Sequence, residues 1–314
     1  MNFESFKKYY EKVKPKEIEN SVQSSIVVSI CVVTFNHVSF IKKCLDDILM
    51  QQTNFDFEIL LGEDASTDGT REICIEYAQK YPNKIRLFLH HRENNISING
   101  SPTGRFNFLY NLYSAKGKYI ALCEGDDYWT DPYKLQKQVD FLEATPEYAA
   151  CFHYTQQNFI NNPDKLGRIF GKHENQLDFT AEDTIAILSP WHTSSFVFKT
   201  TAFVKPDWLY KVVSGDMALF SIVAKSGNIK CIPEIMSVYQ KHDGGITQTK
   251  AHNHEDYHNN RIALIKHLDA YHNFKYHKKA EEIIAFHLNA INNPNSNKKS
   301  IFERVINRLK RLTK

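Results

Sequence analysis

The 314-residue chain is 42% hydrophobic and 13% aromatic, which is enough for a sizeable core and excludes a disordered chain. Its six cysteines (Cys31, Cys44, Cys74, Cys123, Cys151, Cys231) show no CxxC pairing and lie mostly in apolar runs, which suits buried reduced thiols and excludes a disulfide scaffold. Net charge is +3, but Lys298–Lys314 alone holds seven Lys or Arg against one Glu, leaving the rest slightly acidic; a basic nucleic-acid-binding body is not expected.

Residues 1–25 are expected as an N-terminal helical segment whose opening, MNFESFKKYYEKVK, has no apolar signal-like core. IVVSICVVT (26–34) reads as a strand, and FIKKCLDDILMQQ follows with apolar residues at helical spacing. FEILLGED (57–64) repeats the strand pattern, with Asp68 as the expected N-cap of the next helix. KIRLFLH (84–90) is a third strand, 106–115 a helix and KYIALCEG (118–125) a fourth strand, after which Asp131-Pro132 should open a helix. Then come a strand at YAACFHYTQQNF, an irregular loop over 160–178, a strand at TSSFVFK (193–199), a helix over 215–227 and a strand at EIMSVYQKH (234–242). Two helical segments are expected to fill 252–291.

Strands alternating with helices predict an α/β fold with a mostly parallel sheet, whose ligands bind at the carboxyl ends of the strands. Three such ends converge here: Thr34 and Asn36, then Glu63 and Asp64, then Glu124, Asp126 and Asp127. Carboxylates held that close repel one another, so their collection at one rim points to a cation among them.

VVTFN, GEDASTDGT, CEGDDYW, SGDMALF and VYQKHDGG occur in the order and spacing of family 2 glycosyltransferases, and this resemblance covers roughly residues 26–250. It implies a GT-A fold over 26–250, split into a nucleotide-sugar-binding half (26–130) and an acceptor half (131–250), then a helical extension (251–291) and a linker with a basic amphipathic tail (292–314). The activity it implies is transfer of a sugar from a nucleotide donor, usually UDP-linked, with inversion and with help from Mn2+ or Mg2+. Asp64 then meets the nucleobase, Asp126 and Asp127 the ribose and the metal, and Asp216 is the catalytic base. Glu63-Asp64-Ala65 departs from the Asp-Asp-Gly of many relatives, which bears on the nucleotide's identity.

The residues support the same chemistry by themselves. A leaving nucleoside diphosphate needs its charge offset, and carboxylate oxygens such as those of Asp127 suit Mg2+ or Mn2+. An incoming hydroxyl needs a base, and Asp216 stands at a predicted helix start, where it would equally serve as a cap. His242 is a candidate for the metal or the diphosphate, Arg92 and Arg105 for phosphate or base, Thr34 and Asn36 for the nucleotide, and His192 and Ser194 for the acceptor cleft. Two rivals are kept: a zinc metalloprotease through His254, Glu255 and His258, and a non-catalytic sugar-nucleotide-binding module. The acceptor is expected to be a glycan or a lipid-linked saccharide, with no nucleic acid as partner. No stretch reaches the ~18 apolar residues of a spanning helix, so the expected location is cytoplasmic. The tail, SIFERVINRLKRLTK, is suited to peripheral contact with the inner face of the membrane. Self-association is left open.

Overall fold

The computed structural model describes residues 2–98, 100–245 and 254–293. It begins with α1 (Phe3–Tyr10) and β1 (Lys16–Glu17), then alternates β2 (Val28–Thr34), α2 (Ile41–Leu49), β3 (Phe57–Glu63), α3 (Thr70–Lys80) and β4 (Ile85–Leu89). A hairpin of β5 (Ser97–Ile98) and β6 (Ser101–Pro102) leads to α4 (Arg105–Ser114), β7 (Tyr119–Glu124), β8 (Tyr128–Trp129) and α5 (Lys134–Ala144). The second half runs β9 (Tyr148–Phe159), β10 (Ile169–Phe170), β11 (Asp178–Phe179), α6 (Ala181–Thr184), β12 (Val197–Lys199), α7 (Gly215–Ala224) and β13 (Asn228–Lys241). Helices α8 (His254–Tyr271) and α9 (His277–Asn292) complete the described chain.

One sheet runs in the order β1-β4-β3-β2-β7-β12-β9-β13-β11, with β10 on β9 and β8 on β13. Its long ladders, β4-β3-β2-β7 and β9-β13, are parallel, while the antiparallel pairings are short. Period-two alternation makes the sheet two-faced. Val28, Ile30 and Val32 of β2 pack with α2, α3 and α5 on one face, whereas Cys31 joins the aromatic-rich core under α4 and α7 on the other. On that second face Asn111 of α4 donates to the carbonyls of Val32 (3.0 Å) and Leu60 (2.9 Å), tying the helix to the parallel strands. Leu264, Ile265 and Leu268 of α8 belong to the same core as Met217 of α7, so the helical extension is fused to the domain.

Several boundaries differ from the sequence reading. The N-terminal segment is helical only over α1, since β1 adds to the sheet edge against β4. Helix α3 begins at Thr70, because Gly69 takes a left-handed φ of 104° as N-cap. Asp68 instead accepts the Thr70 N–H at 3.0 Å from one residue further back. Likewise α5 starts at Lys134, with Asp131 accepting the Tyr133 N–H in a turn before it. The 160–178 loop contains β10 and the start of β11, and Thr193–Ser195 is a 3-10 turn leading to β12. All six cysteines are free and buried. The basic tail lies outside the described residues.

Candidate active site

Strand register builds the rim. Thr34 pairs with Glu63 and Val33 with Glu124 across parallel ladders, so β2, β3 and β7 end level and offer their following residues to one side. Asn36, at a left-handed φ of 54°, ties two of these ends together: its Oδ1 accepts the Thr67 N–H at 3.0 Å, and its own N–H donates to Ser66 Oγ at 2.9 Å. Thr34 is buried, with an Oγ1 that has no hydrogen-bond partner.

The two acids ending β3 face different partners. Glu63 accepts from Arg71 Nε and, at 2.6 Å, from the Ser66 N–H. Glu63 thus ties the end of β3 to the turn that follows it and to Arg71 of α3. Asp64 receives Arg92 Nη1 at 2.6 Å on Oδ2, while its buried Oδ1 has no partner. Burial pushes the Asp64 carboxyl up to about 6 against the pull of Arg92. The Arg92 guanidinium also lies 4.0 Å from the centroid of the exposed Phe35 ring, so an acceptor atom, a cation and an aromatic face meet at this end.

The β7 end holds three acids. Asp126 Oδ2 accepts His242 Nε2 at 3.1 Å and lies 3.6 Å from His37 Nε2. Burial would raise its pKa, but the His242 hydrogen bond and the His37 charge outweigh this and hold it below the usual range. Asp127 is 1% exposed; its Oδ1 accepts the Gln240 N–H at 3.3 Å and its Oδ2 has no partner. Burial, then Asp126 and Glu124, push the Asp127 carboxyl well up, and burial with Asp126 and Asp216 pushes Glu124 up to about 8. His192 reaches this corner because β12 runs antiparallel to β7, and its Nδ1 stands 3.6 Å from Asp127 Oδ2. Ligand-capable atoms of Glu124, Asp127 and His192 all lie within 4.8 Å of one another. The donor set and the orphaned Asp127 oxygen suit a divalent cation.

Asp216 opens α7 in a half-buried position, near enough for its charge to act on Glu124 and His192. Arg105 stands behind it. Its Nη2 donates to the carbonyls of Val212 (2.8 Å) and Val213 (3.1 Å), and a Cβ at Gly215 would fall 2.0 Å from its Nη1. Sequence reasoning put Arg105 at the nucleotide; the structure has it holding the chain that enters α7. Gly215→Ala should cost roughly 1–3 kcal/mol through this overlap, measured as a lower denaturation midpoint with an unchanged slope.

Of the residues expected at the site, Thr34, Asn36, Asp64, Asp126 and Asp127 share the rim, and Ser194 sits behind it with Oγ donating to Ser237 Oγ at 3.1 Å. His37 was missed; its only signal is adjacency to Asn36. His242 stands on Asp126. Of the HExxH stretch, Glu255 is exposed while His258 is buried, its Nδ1 2.7 Å from Nδ1 of His287 on α9. Those two side chains do not converge on an open zinc site.

The family model "Glycosyl transferase family 2" matches residues 29–224. The uncharacterized protein Rv1520 of Mycobacterium tuberculosis is 36% identical over 219 residues, 70% of this chain and 60% of that one. The chain thus spans 60% of the length of this relative. The uncharacterized glycosyltransferase EpsJ of Bacillus subtilis is 23% identical over 71% of this chain and 63% of its own. Among solved structures, S. aureus TarS 1–349 in complex with UDP-GlcNAc superposes with a TM-score of 0.61 at 17% identity, over 89% of this chain and 78% of that one. The mannosyltransferase PcManGT from Pyrobaculum calidifontis, in complex with GDP-Man and Mn2+, gives 0.54 at 15% identity, over 98% and 86%. The architecture they share with this chain is the GT-A fold. The model match takes in the β2, β3 and β7 ends and the start of α7, and with it the chain belongs to glycosyl transferase family 2.

Proposed function

We propose that the protein is an inverting glycosyltransferase that moves a sugar from a nucleotide donor, most simply a UDP-sugar, to a hydroxyl of a glycan or lipid-linked saccharide. The observation that carries this reading is the rim itself: level strand ends present Asp64, Asp126 and Asp127, and Asp216 at the start of α7 stands near enough for its charge to act on Glu124 beside them. In this reading the unpartnered Asp64 Oδ1 accepts from the nucleobase, with Arg92 and Phe35 beside it. Asp126, oriented by His242, takes the ribose, while Thr34 and Asn36 shape the floor below the nucleotide. Asp127 is the residue that holds the metal. When bound, a divalent cation offsets the charge that develops on the departing diphosphate. Asp216 accepts the proton of the acceptor hydroxyl as that oxygen attacks the anomeric carbon from the face opposite the diphosphate. The anomeric carbon–oxygen bond to the diphosphate breaks, and its electron pair stays on the phosphate oxygen. Arg105 steadies Asp216 from behind.

TarS and PcManGT support a nucleotide-sugar donor by their bound UDP-GlcNAc and GDP-Man, without choosing the base for this chain. The test is a panel of UDP-, GDP- and dTDP-sugars assayed with Mn2+ or Mg2+ for release of free nucleotide. One donor class should be turned over at least tenfold faster than the others. Binding of a sugar nucleotide with no turnover for any acceptor would instead support a non-catalytic binding module.

The proposed location is the cytoplasm, at the inner face of the membrane. Ile301, Phe302, Val305, Ile306 and Leu309 recur at helical spacing between basic residues, as in helices that lie in an anionic interface. Each cation near such a surface adds ~1 kcal/mol. Full-length protein should float with anionic vesicles at low salt, and protein ending at Asn297 should not. Equal flotation of both would remove the membrane role from the tail.

A further inference from the structure

The second half of the sheet builds a wall of rings that starts at the acid rim and ends on a cation. It begins at Asp127, whose Oδ1 accepts the Gln240 N–H at 3.3 Å and whose Oδ2 lies 3.6 Å from His192 Nδ1. The His192 ring stacks on Tyr239, the residue before Gln240, with centroids 4.6 Å apart. Phe170 meets both edge-on, at 5.2 Å from His192 and 5.7 Å from Tyr239, and the Arg168 guanidinium covers the Phe170 ring at 3.6 Å. Arg168, His192 and Tyr239 are half-buried, so part of each remains open to a ligand.

The backbone fixes this wall. Phe170 pairs with Thr155 and Ile169 with Gln156 where β10 lies on β9, and the Gln157 N–H donates to the Arg168 carbonyl at 3.0 Å. Alternation along an extended chain puts Arg168 and Phe170 on one side and Ile169 on the other. Gly167 permits the close approach, because a Cβ there would fall 1.8 Å from the Gln157 carbonyl oxygen. On the opposite edge of β9, β13 places Tyr239 beside Gln157, so one strand carries both rings. Burial pushes His192 down to about 4; Asp126 and Asp216 oppose that shift and Arg168 adds to it. The guanidinium and the candidate base therefore lie within electrostatic reach of the same ring. Aromatic side chains offer large, rigid apolar faces, and a guanidinium held flat on a ring offers its N–H fork to a carboxylate or a phosphate.

We propose that this wall is the acceptor subsite and that the acceptor is an acidic saccharide. One sugar ring lies against Tyr239 and His192, and Arg168 pairs with a carboxylate or phosphate on that sugar or its neighbour. The inference rests on the glycosyltransferase reading and names the acceptor class within it. Because the wall begins beside Asp127 and within reach of the Asp216 charge, a sugar seated on it presents its hydroxyls to the base.

The test uses full-length protein, without donor, on an array of gluco- and galacto-oligosaccharides that are neutral, carry one uronate or carry one phosphomonoester. Acidic chains should be held about tenfold or more tightly than neutral ones, and the preference should shrink as salt is raised. The stronger of the uronate and phosphate arms identifies the group that Arg168 takes. Arg168→Gln should erase the preference, Arg168→Lys should restore part of it, and Tyr239→Ala should weaken neutral and acidic chains alike. Because the preference is read on the unmodified protein, a misfolded variant does not remove the test. Equal binding of neutral and acidic chains, binding of none, or an acidic preference that survives Arg168→Gln would each overturn the proposal. So would a loss of donor-nucleotide affinity in Arg168→Gln protein that melts at the parent temperature, since that would assign the guanidinium to the diphosphate. Donor turnover in the sugar-nucleotide panel is a separate measurement, so these failures would leave the glycosyltransferase reading standing. Absent turnover would remove that reading and leave the saccharide-binding wall.

Discussion

Asp127→Asn should abolish metal-dependent binding of the donor nucleotide, weakening it at least 100-fold in calorimetry with Mn2+, equivalent to about 3 kcal/mol. The same substitution should leave the metal-free protein as stable as the parent, or raise its melting temperature. Asp127 is buried among Asp126 and Glu124, and its Oδ2 lacks a partner, so the parent carries an uncompensated acid that an amide does not replace in kind. Function and stability should therefore move in opposite directions, as at sites organised for a ligand they await. The pH dependence has a definite sign. Burial, then Asp126 and Asp216, raise Glu124 from 4.5 to about 8, so the folded state binds more protons than the unfolded one across that window. The contribution of Glu124 to metal-free stability should consequently fall as pH rises from 4.5 towards 8, read as the difference between the parent and Glu124→Gln, because buried histidines such as His90 and His192, pushed down to about 3 and about 4, act in the opposite sense below 6.5. A parent-minus-variant difference in stability that rises over this window would refute the account of the corner.

Asp216→Asn should leave donor affinity within about threefold and lower the transfer rate by a factor of 10²–10⁴, the range for loss of a general base. The amide keeps the shape of the carboxylate at the start of α7 but cannot take the acceptor's proton. Arg105 anchors the residues just before this helix, so the backbone should stay in place and the loss should fall on kcat rather than on donor binding. Transfer at the parent rate by the Asn variant would mean that the base lies elsewhere. A fall in donor affinity matching the fall in rate would mean that Asp216 binds nucleotide.

Much of this arrangement follows from local sequence. Near-continuous apolar runs in IVVSICVVT and FEILLGED specify strands buried on both faces, and their polar ends mark where each strand leaves the sheet. Parallel order then brings those ends to one side, which is why Thr34, Asp64, Asp126 and Asp127 could be grouped before any coordinates. Helix starts were less legible. Asp68 and Asp131 each supply a turn just ahead of a helix, because the left-handed Gly69 and the Asp131–Tyr133 turn delay the first helical residue.

The sequence by itself thus determined the sheet, its acid-bearing rim and the placing of Asp216 at a helix start. Only the tertiary structure decided which cations and rings serve those acids. Arg92 reaches Asp64, His37 and His242 converge on Asp126, and His192 comes to Asp127, while Arg105 turns from the expected nucleotide contact to the entry of α7. The reason is distance along the chain. His242 meets Asp126 across 116 residues and Arg105 meets Val212 across 107, through the insertion of β12 beside β7 and the long parallel pairing of β13 with β9. Periodicity and caps are set by neighbours within a turn or two, whereas strand order and register between distant segments depend on how the two core faces pack, which no local pattern encodes.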